Sequence, residues 1–334
     1  MKRILAAILA AGLALSLTAC GGNGNSSSSG EGESLKEITF CLDWTPNTNH
    51  TGLYAAQALG YYEEAGLKVE FVQPPEDGAP ALVASGKAQF GINAQDTIAP
   101  ALIGDAALPV TAVAAIVQHN TSGILTLSGK GVDRPKGLEG RTYATWQNPV
   151  EQAMMRYCVE KDGGDFSKVN LVPSTPTDVL TSLQTNVDSI WVFYGWDGIA
   201  AEVKGIDMDY WAFSDIEPTF DYYTPVILAN NAFLQEDPET AKAFLAATRK
   251  GYEYAIANPR EAADFLLAAS PELDKDLVYA SQEYLSAQYQ ADAEAWGVID
   301  PARWDGFYQW LWDTQLLEEE IPAGTGYSND YLPQ

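Results

Sequence analysis

Three cysteines and two histidines are all that 334 residues supply. A disulfide framework is therefore not indicated, and a histidine-rich metal site is not available. After Cys20, only Cys41 and Cys158 remain. One stands in a predicted strand and the other in a predicted helix far along the chain. Neither has a nearby Cys or His at ligand spacing, so both read as small apolar side chains. Positive charge is scarce too: 19 Lys+Arg stand against 45 Asp+Glu, a net charge of −26. That balance argues against nucleic acid and anionic lipid surfaces as partners. No G-x-S-x-G, G-x-x-x-x-G-K-[ST] or G-x-G-x-x-G occurs, which removes the usual signatures of a serine hydrolase, a P-loop and a dinucleotide fold. No short internal repeat is found. No metal and no cofactor are expected.

What is present starts with a leader-like segment. Lys2 and Arg3 precede an uncharged run from Ile4 to Leu17, shorter than the about 20 residues of a membrane span. This is the pattern of a secretory signal. The run ends in Leu17-Thr18-Ala19-Cys20, which resembles a bacterial lipoprotein processing site with Cys20 as the lipidated residue; an ordinary signal peptide with a chance Cys is the alternative. "GGNGNSSSSGEGES" follows as a polar tether, with an ideal-coil span of roughly 20 Å. The expected organisation is a signal peptide over 1–19, then a lipidated Cys and tether over 20–35. The expected location is extracytoplasmic, lipid-anchored to the bacterial cell membrane. Removing residues 1–19 takes away two positive charges and no acid, so the mature chain is more acidic still.

The whole chain is 46% hydrophobic and 11% aromatic, which suits a globular protein with a large core. "EITFCLD" alternates Ile38, Phe40 and Leu42 against Thr39 and Cys41, the period of a strand. "GLYAAQAL" places Leu53, Ala56 and Leu59 on one helical face, and Gly60 stands where that helix would stop. "GLKVEFV" alternates again. Strand, helix and strand within about 35 residues make a βαβ unit, and the pattern recurs to "LPVTAVAAIVQ". It restarts near residue 120 with "SGILTLSG", "RTYATW", the helix "NPVEQAMMRYCVEKDG" and the strand "NVDSIWVFYGW". Asn148, Pro149 and Glu151 carry the helix-start chemistry of a capping box. After "FDYYTPVILANN" the chain reads as helical to its end, with Asp237-Pro238 and Asn258-Pro259 as starts and Phe244, Thr248, Tyr252 and Ala255 as a buried face. The fold class expected is α/β with two lobes, each a mixed, mostly parallel sheet flanked by helices. Residues 36–120 and 225–334 are assigned to lobe 1, residues 121–224 to lobe 2, with the crossings near 119–124 and 220–227. Open α/β sheets bind ligands beyond the carboxyl ends of their strands, so two facing lobes define a cleft that can hinge shut.

Five polar-aromatic loops each follow a predicted strand: "DWTPNTNHTG", "NAQDT", "QHNTSG", "WQNPVEQ" and "YGWDG". Each residue in them also has a plainer reading. Trp44 reads equally as core, and Asp43 and Asn49 as helix caps. His50 reads as a wall residue or a cap. Tyr194 and Trp196 stand on alternate residues and are expected to share a face. Asp96, Glu151 and Asp197 could pair for acid–base work, but carboxylates are too abundant for spacing to select them. Recognition is the favoured chemistry, because aromatics stack on a planar ligand while amides and a carboxylate read its edge. The loops hold no Lys or Arg, which a phosphate, sulfonate or nitrate site would ordinarily include.

The runs "LDWTPNTNHTGLY", "QPPEDGAPALVASGKAQFGINAQDT", "PVTAVAAIVQHNTSGI" and "WVFYGWDGIAAE" resemble solute-binding proteins of ABC importers, in the pyrimidine-precursor branch of the fungal pyrimidine-synthase-like superfamily. The resemblance spans nearly all of Lys36–Gln334. It implies a type II periplasmic-binding-protein fold and delivery of ligand to an ABC permease with its ATPase. It implies a thiamine-related pyrimidine as ligand: hydroxymethylpyrimidine or its aminomethyl or formylaminomethyl relatives. The fungal enzyme of the superfamily has a cofactor lysine and a sacrificed histidine where this chain has Asn93 and Thr97, and a cysteine-rich run that is not present here. The chain is therefore expected to bind and not to synthesise, with no catalytic residue.

On that basis Trp44 and one of Trp146, Tyr194 or Trp196 are expected against the ring faces, and Glu151 or Asp197 against an exocyclic amine. Asn49, His50, Gln95 and Thr121 would complete the edge, with Asp96 and Tyr223 also placed at the site. Riboflavin or a pyridoxine-like ring is the alternative ligand, and a pyrimidine-synthase-like enzyme the alternative class. A monomer is expected, touching the membrane only through its lipid.

Overall fold

The computed structural model describes residues 35–333. The leader, Cys20 and nearly all of the tether lie outside the described residues. From Leu35 onward the chain forms one compact unit. It builds β1 (Lys36–Cys41), β2 (Leu67–Val72), β3 (Phe90–Asn93) and β4 (Val110–Ala115), then crosses to β5 (Ser122–Leu127), β6 (Thr142–Thr145), β7 (Asn170–Pro173), β8 (Ser189–Phe193) and β9 (Met208–Ala212), and returns as β10 (Val226–Asn230). Two five-stranded sheets result, in the orders β2-β1-β3-β10-β4 and β7-β6-β8-β5-β9. The two orders are equivalent, each with one late or early strand inserted beside the outermost position.

That inserted strand has a physical logic. β1 runs parallel to β2 and β3, and β6 parallel to β7 and β8. β10 is antiparallel to β3 and β4, and β5 antiparallel to β8 and β9. A strand that enters a sheet from the crossover begins at the edge where its neighbours end, so it must run the other way. The crossover edge of each sheet therefore collects the carboxyl ends of the parallel strands and the amino end of the inserted one.

Helices cover both sheets. Beside the first sheet lie α1 (Thr51–Ala58), α2 (Tyr61–Glu64), α3 (Gly78–Ala84) and α4 (Gln95–Ile98); beside the second lie α5 (Pro149–Lys161), α6 (Val179–Thr185), α7 (Ile199–Val203) and α8 (Phe213–Ile216). The returning chain adds α9 (Asn231–Glu236), α10 (Pro238–Ala257), α11 (Pro259–Ala269), α12 (Lys275–Ser286) and α13 (Pro301–Asp313). Phe244 of α10 stacks on Phe90 at 4.1 Å and lies 5.8 Å from Phe40, so the predicted face of α10 closes one side of the first sheet. The other side of that sheet shares a continuous core with the second sheet, through Phe220, Tyr222 and Phe307 to Trp191 and Trp211. Cys41 and Cys158 are free and buried. No described helix is long and apolar enough to cross a membrane.

Two local expectations are corrected. The chain is not helical to its end: helices stop at Asp313, and the following segment lies along β4, where the Ala112 N–H donates to Gly326 O at 2.8 Å and the Ser328 N–H to Ala112 O at 2.9 Å. An exposed sheet edge is a liability, and this segment covers it. Asp237 caps α10 by accepting from the Thr240 N–H, but Asn258 makes no such bond at α11; its amide donates back to Tyr254 O at 3.3 Å instead.

Candidate ligand site

The loop after β1 is held by its own side chains. Asn47 Oδ1 accepts from the Asn49 N–H at 2.9 Å, and the Asn47 N–H donates to His50 Nδ1 at 3.2 Å, the two halves of a capping box. His50 Nε2 then donates to Asp43 Oδ1 at 2.8 Å. Both ring nitrogens are used and the residue is fully buried, so His50 shapes the loop and is not a wall residue. Its tautomer follows from its partners. The capping box belongs to the 3-10 turn Thr48–His50 that leads into α1; α1 itself starts after His50 with no side-chain cap bond, so neither Asp43 nor Asn49 caps it as expected. Trp44 projects from this braced loop with 62% of its surface exposed, which excludes the core reading. The Asn49 carbonyl accepts from Tyr252 of α10 at 2.7 Å, while its side-chain amide has no hydrogen-bond partner among the described residues.

At the end of β3, Gln95 is fully buried and engaged at both ends of its amide. Oε1 accepts from the Tyr223 N–H at 2.9 Å, and Nε2 donates to Trp304 O at 2.8 Å. Tyr223 is buried as well, its hydroxyl accepting from the Asp300 N–H at 2.8 Å. These two residues tie β3, the return crossing and α13 together and are buried within the protein. Asp96 differs. Its Oδ1 is buried without a hydrogen-bond partner. Burial pushes its carboxyl up to about 6, opposed by the N–H groups of Thr97 and of Asp96 itself. Asn93 and Thr97 hydrogen-bond each other and present no lysine or histidine.

On the second sheet, the Glu151 carboxylate accepts from Tyr143 Oη at 2.6 Å, Thr145 Oγ1 at 3.0 Å, and the N–H groups of Trp146 and Asn148 at 3.1 and 3.3 Å. It is the capping box of α5 and is almost fully buried. Every lone-pair direction has a protein donor, which corrects its expected role toward an amine. It fixes instead the turn that carries Trp146, whose ring is 41% exposed and lies 5.4 Å from Trp191. Gln147 beside it has φ of 63°, a left-handed backbone rarely adopted without cause. The Nε1 of buried Trp191 has no partner.

After β8 the chain forms a π-helical turn, Tyr194–Gly198, so Tyr194 and Trp196 do not share a face as strand alternation suggested. Tyr194 packs between Tyr210 and Tyr284 at 4.7 and 5.4 Å and hydrogen-bonds Glu202. With Leu125, Met208 and Tyr210 it lines a cavity of about 400 Å³. Leu125 and Tyr210 lie on the face of the sheet opposite Trp191 and Trp211, so this cavity opens on the other side of the sheet from Trp146. Trp196 packs beside Tyr54, Leu266 and Val278. Asp197 has no hydrogen-bond partner among the described residues, and burial pushes its carboxyl up to about 6. The Thr121 carbonyl accepts from the Tyr194 N–H at 3.0 Å and Tyr210 Oη at 2.8 Å, leaving its hydroxyl free. Phe193, 37% exposed at the end of β8, was not singled out from the sequence; its membership of the apolar run "SIWVF" hid it.

The strand-end edges therefore offer Trp44, Asn49 and Asp96 from the first lobe, and Thr121, Trp146, Phe193 and Asp197 from the second. Among the described residues no group of three or more His, Cys, Asp and Glu is placed to hold a metal.

Residues 47–262 match the family described as NMT1/THI5 like. The chain belongs to the NMT1/THI5-like family. A formylaminopyrimidine-binding protein of Halalkalibacterium halodurans is 29% identical over 311 residues, covering 89% of this chain and 91% of that one. A 4-amino-5-hydroxymethyl-2-methylpyrimidine phosphate synthase of Saccharomyces cerevisiae, THI11, is 24% identical over 283 residues, covering 77% of this chain and 78% of that one. Among solved structures, the alkanesulfonate-binding protein SsuA from Xanthomonas axonopodis pv. citri, bound to MOPS, superposes with a TM-score of 0.66 at 11% identity, covering 87% of this chain and 98% of that one. The fold is the two-lobed periplasmic-binding-protein fold, and the relatives named above include one called a binding protein and one called a synthase.

Proposed function

We propose that this NMT1/THI5-like chain is the extracytoplasmic solute-binding component of an ABC importer that captures an amine-bearing pyrimidine precursor of thiamine and delivers it to a permease. The observation that carries the reading is the pair of desolvated carboxylates, Asp96 and Asp197, set at strand-end loops that also bear exposed Trp44 and Trp146. A buried carboxylate without a partner is matched by an amine donor, and the tryptophans by a flat ring. The same carboxylates repel a sulfonate, so the shared fold with a sulfonate binder does not extend to the ligand. The formylaminopyrimidine-binding relative supports the ligand class. With Asn93 and Thr97 in place of the synthase lysine and histidine, the reading is a binder and not an enzyme. A leader ending at Ala19 and a lipid on Cys20 belong to the same proposal, with the protein acting as a monomer.

A thermal-shift and calorimetry panel of formylaminopyrimidine, hydroxymethylpyrimidine, riboflavin, pyridoxine and an alkanesulfonate tests it. A pyrimidine at 100 times its Kd is expected to add about 2.7 kcal/mol. Asp96→Asn and Trp44→Ala are each expected to lose at least about tenfold in affinity, since a charge-assisted hydrogen bond is worth roughly 1.5–3 kcal/mol. Binding should weaken as pH falls below about 6; Asp96→Asn should reduce that dependence, and Asp96→Asn with Asp197→Asn should flatten it. Stabilisation by the sulfonate or the flavin alone would overturn the ligand assignment.

A further inference from the structure

Ser281, in the middle of α12 and fully buried, touches both lobes. Thr48 Oγ1, in the braced loop after β1, lies 2.6 Å from Ser281 Oγ. Ser281 Oγ also hydrogen-bonds the carbonyl of Gly195, in the π-helical turn after β8. A carbonyl can only accept, so the Ser281 proton goes to Gly195 and the Thr48 hydroxyl donates to Ser281. Thr48 is held in turn by Tyr289, whose hydroxyl donates to the Thr48 carbonyl. The result is a directed chain from the first lobe's loop, through α12, to the second lobe's turn. Such chains polarise in one direction and are stronger than isolated bonds. The approach of Gly195 is close as well. A Cβ there would meet Leu285 of the same helix at 2.9 and 3.1 Å and Tyr284 at 3.3 Å, so any larger residue requires the Leu285 side chain to shift before the turn can seat on α12. Trp196, next in the turn, packs beside Tyr54 and Leu266 of the first lobe.

We infer that Ser281 is a positioning residue: through its hydroxyl it helps to fix the spacing between the loop carrying Trp44 and the turn carrying Asp197. The inference rests on the reading of those loops as ligand walls, but the contact itself joins protein groups alone. It is separate in sequence from the two crossings, and it adds a buried polar bridge to the core the lobes share and to the packing of Tyr194 on Tyr284 and Trp196 beside Tyr54. An attachment away from the crossings biases the hinge toward a preferred closed setting, which acts on release of a ligand more than on its capture.

The experiment uses the full chain with spin labels on cysteines placed at exposed Lys168 and Glu239, one on each lobe, and formylaminopyrimidine as the probe for stopped-flow binding. Ser281→Ala and, independently, Gly195→Ala are expected to lengthen and broaden the interlobe distance without ligand. Both are expected to raise the dissociation rate about tenfold while leaving the association rate within twofold. Ser281→Thr, which keeps a hydroxyl, is expected to restore most of the wild-type distance. An unchanged distance in both alanine variants overturns the inference, and so does an equal loss in association and dissociation terms with unchanged distance. If the wild type binds no pyrimidine, the functional reading fails while the distance measurement still decides the role of Ser281.

Discussion

Carboxylates that look alike in the sequence separate sharply by environment. Glu151 is buried and answered by four donor groups, whereas Asp96 is partly exposed and keeps one carboxylate oxygen, Oδ1, buried and unanswered. The first arrangement is architecture and the second is poised to receive a donor. Glu151→Gln replaces one acceptor oxygen by a donor amide facing N–H and O–H groups, so it leaves buried donors opposed. We expect it to destabilise the protein by roughly 3 kcal/mol, the upper range for unsatisfied buried groups. The affinity of the molecules that remain folded should stay within about twofold. Chemical denaturation and calorimetry on the same preparation separate the two effects. A tenfold affinity loss with unchanged stability would return Glu151 to the ligand. The capping box itself was legible, because Asn148, Pro149 and Glu151 stand at fixed local spacing. The unanswered state of Asp96 was not, since it depends on what α13 and the return crossing do not supply.

The elements show where local patterns suffice and where they fail. Strand alternation from Ile38 to Leu42, the helix stop at Gly60 and the buried face of α10 are all written within a few residues of chain, and the structure follows them. Tyr194–Gly198 departs from strand alternation because Gly195 must seat on α12, nearly ninety residues later, and no local period encodes that. The same holds for the crossing of α1 with α10. A Cβ at Gly251 would lie 2.0 Å from the Gly52 carbonyl oxygen and 2.8 Å from Ala56 Cβ. Backbone therefore meets backbone there, and Tyr252 beside it reaches the Asn49 carbonyl. Gly251→Ala forces α1 away and with it the loop bearing Trp44. The expected cost is roughly 3 kcal/mol, as for other overpacked sites, with weaker ligand binding in the folded fraction. A melting temperature within 1–2 °C of wild type, where roughly 1 kcal/mol moves a chain of this size by about 2–4 °C, would show that the crossing has slack.

At the scale of the whole molecule, the two lobes share one core and are stitched at the crossings by a single acidic residue. Asp221 accepts from the Asn120 N–H at 2.7 Å and from His119 Nδ1 at 2.7 Å, and Arg303 lies 3.7 Å away. The other nitrogen of His119 lies 2.8 Å from Asp292 Oδ1. A neutral imidazole has one N–H, so only the charged form satisfies both carboxylates. Burial and Arg303 oppose that charge, but Asp221 and Asp292 outweigh them and raise the pKa of His119 above its ordinary value. A folded-state pKa above the unfolded one gives stability that is fully present below the unfolded pKa. It is lost as pH rises through the folded value. About a third of the imidazole is exposed and Asp292 is largely in water, so screening keeps the effect modest. The melting temperature of wild type should therefore exceed that of His119→Gln most clearly below the ordinary imidazole pKa, with the gap closing as pH rises past the raised folded-state value. A gap independent of pH would mean that His119 holds the crossings by shape alone, and that the charge between the lobes does not act on them.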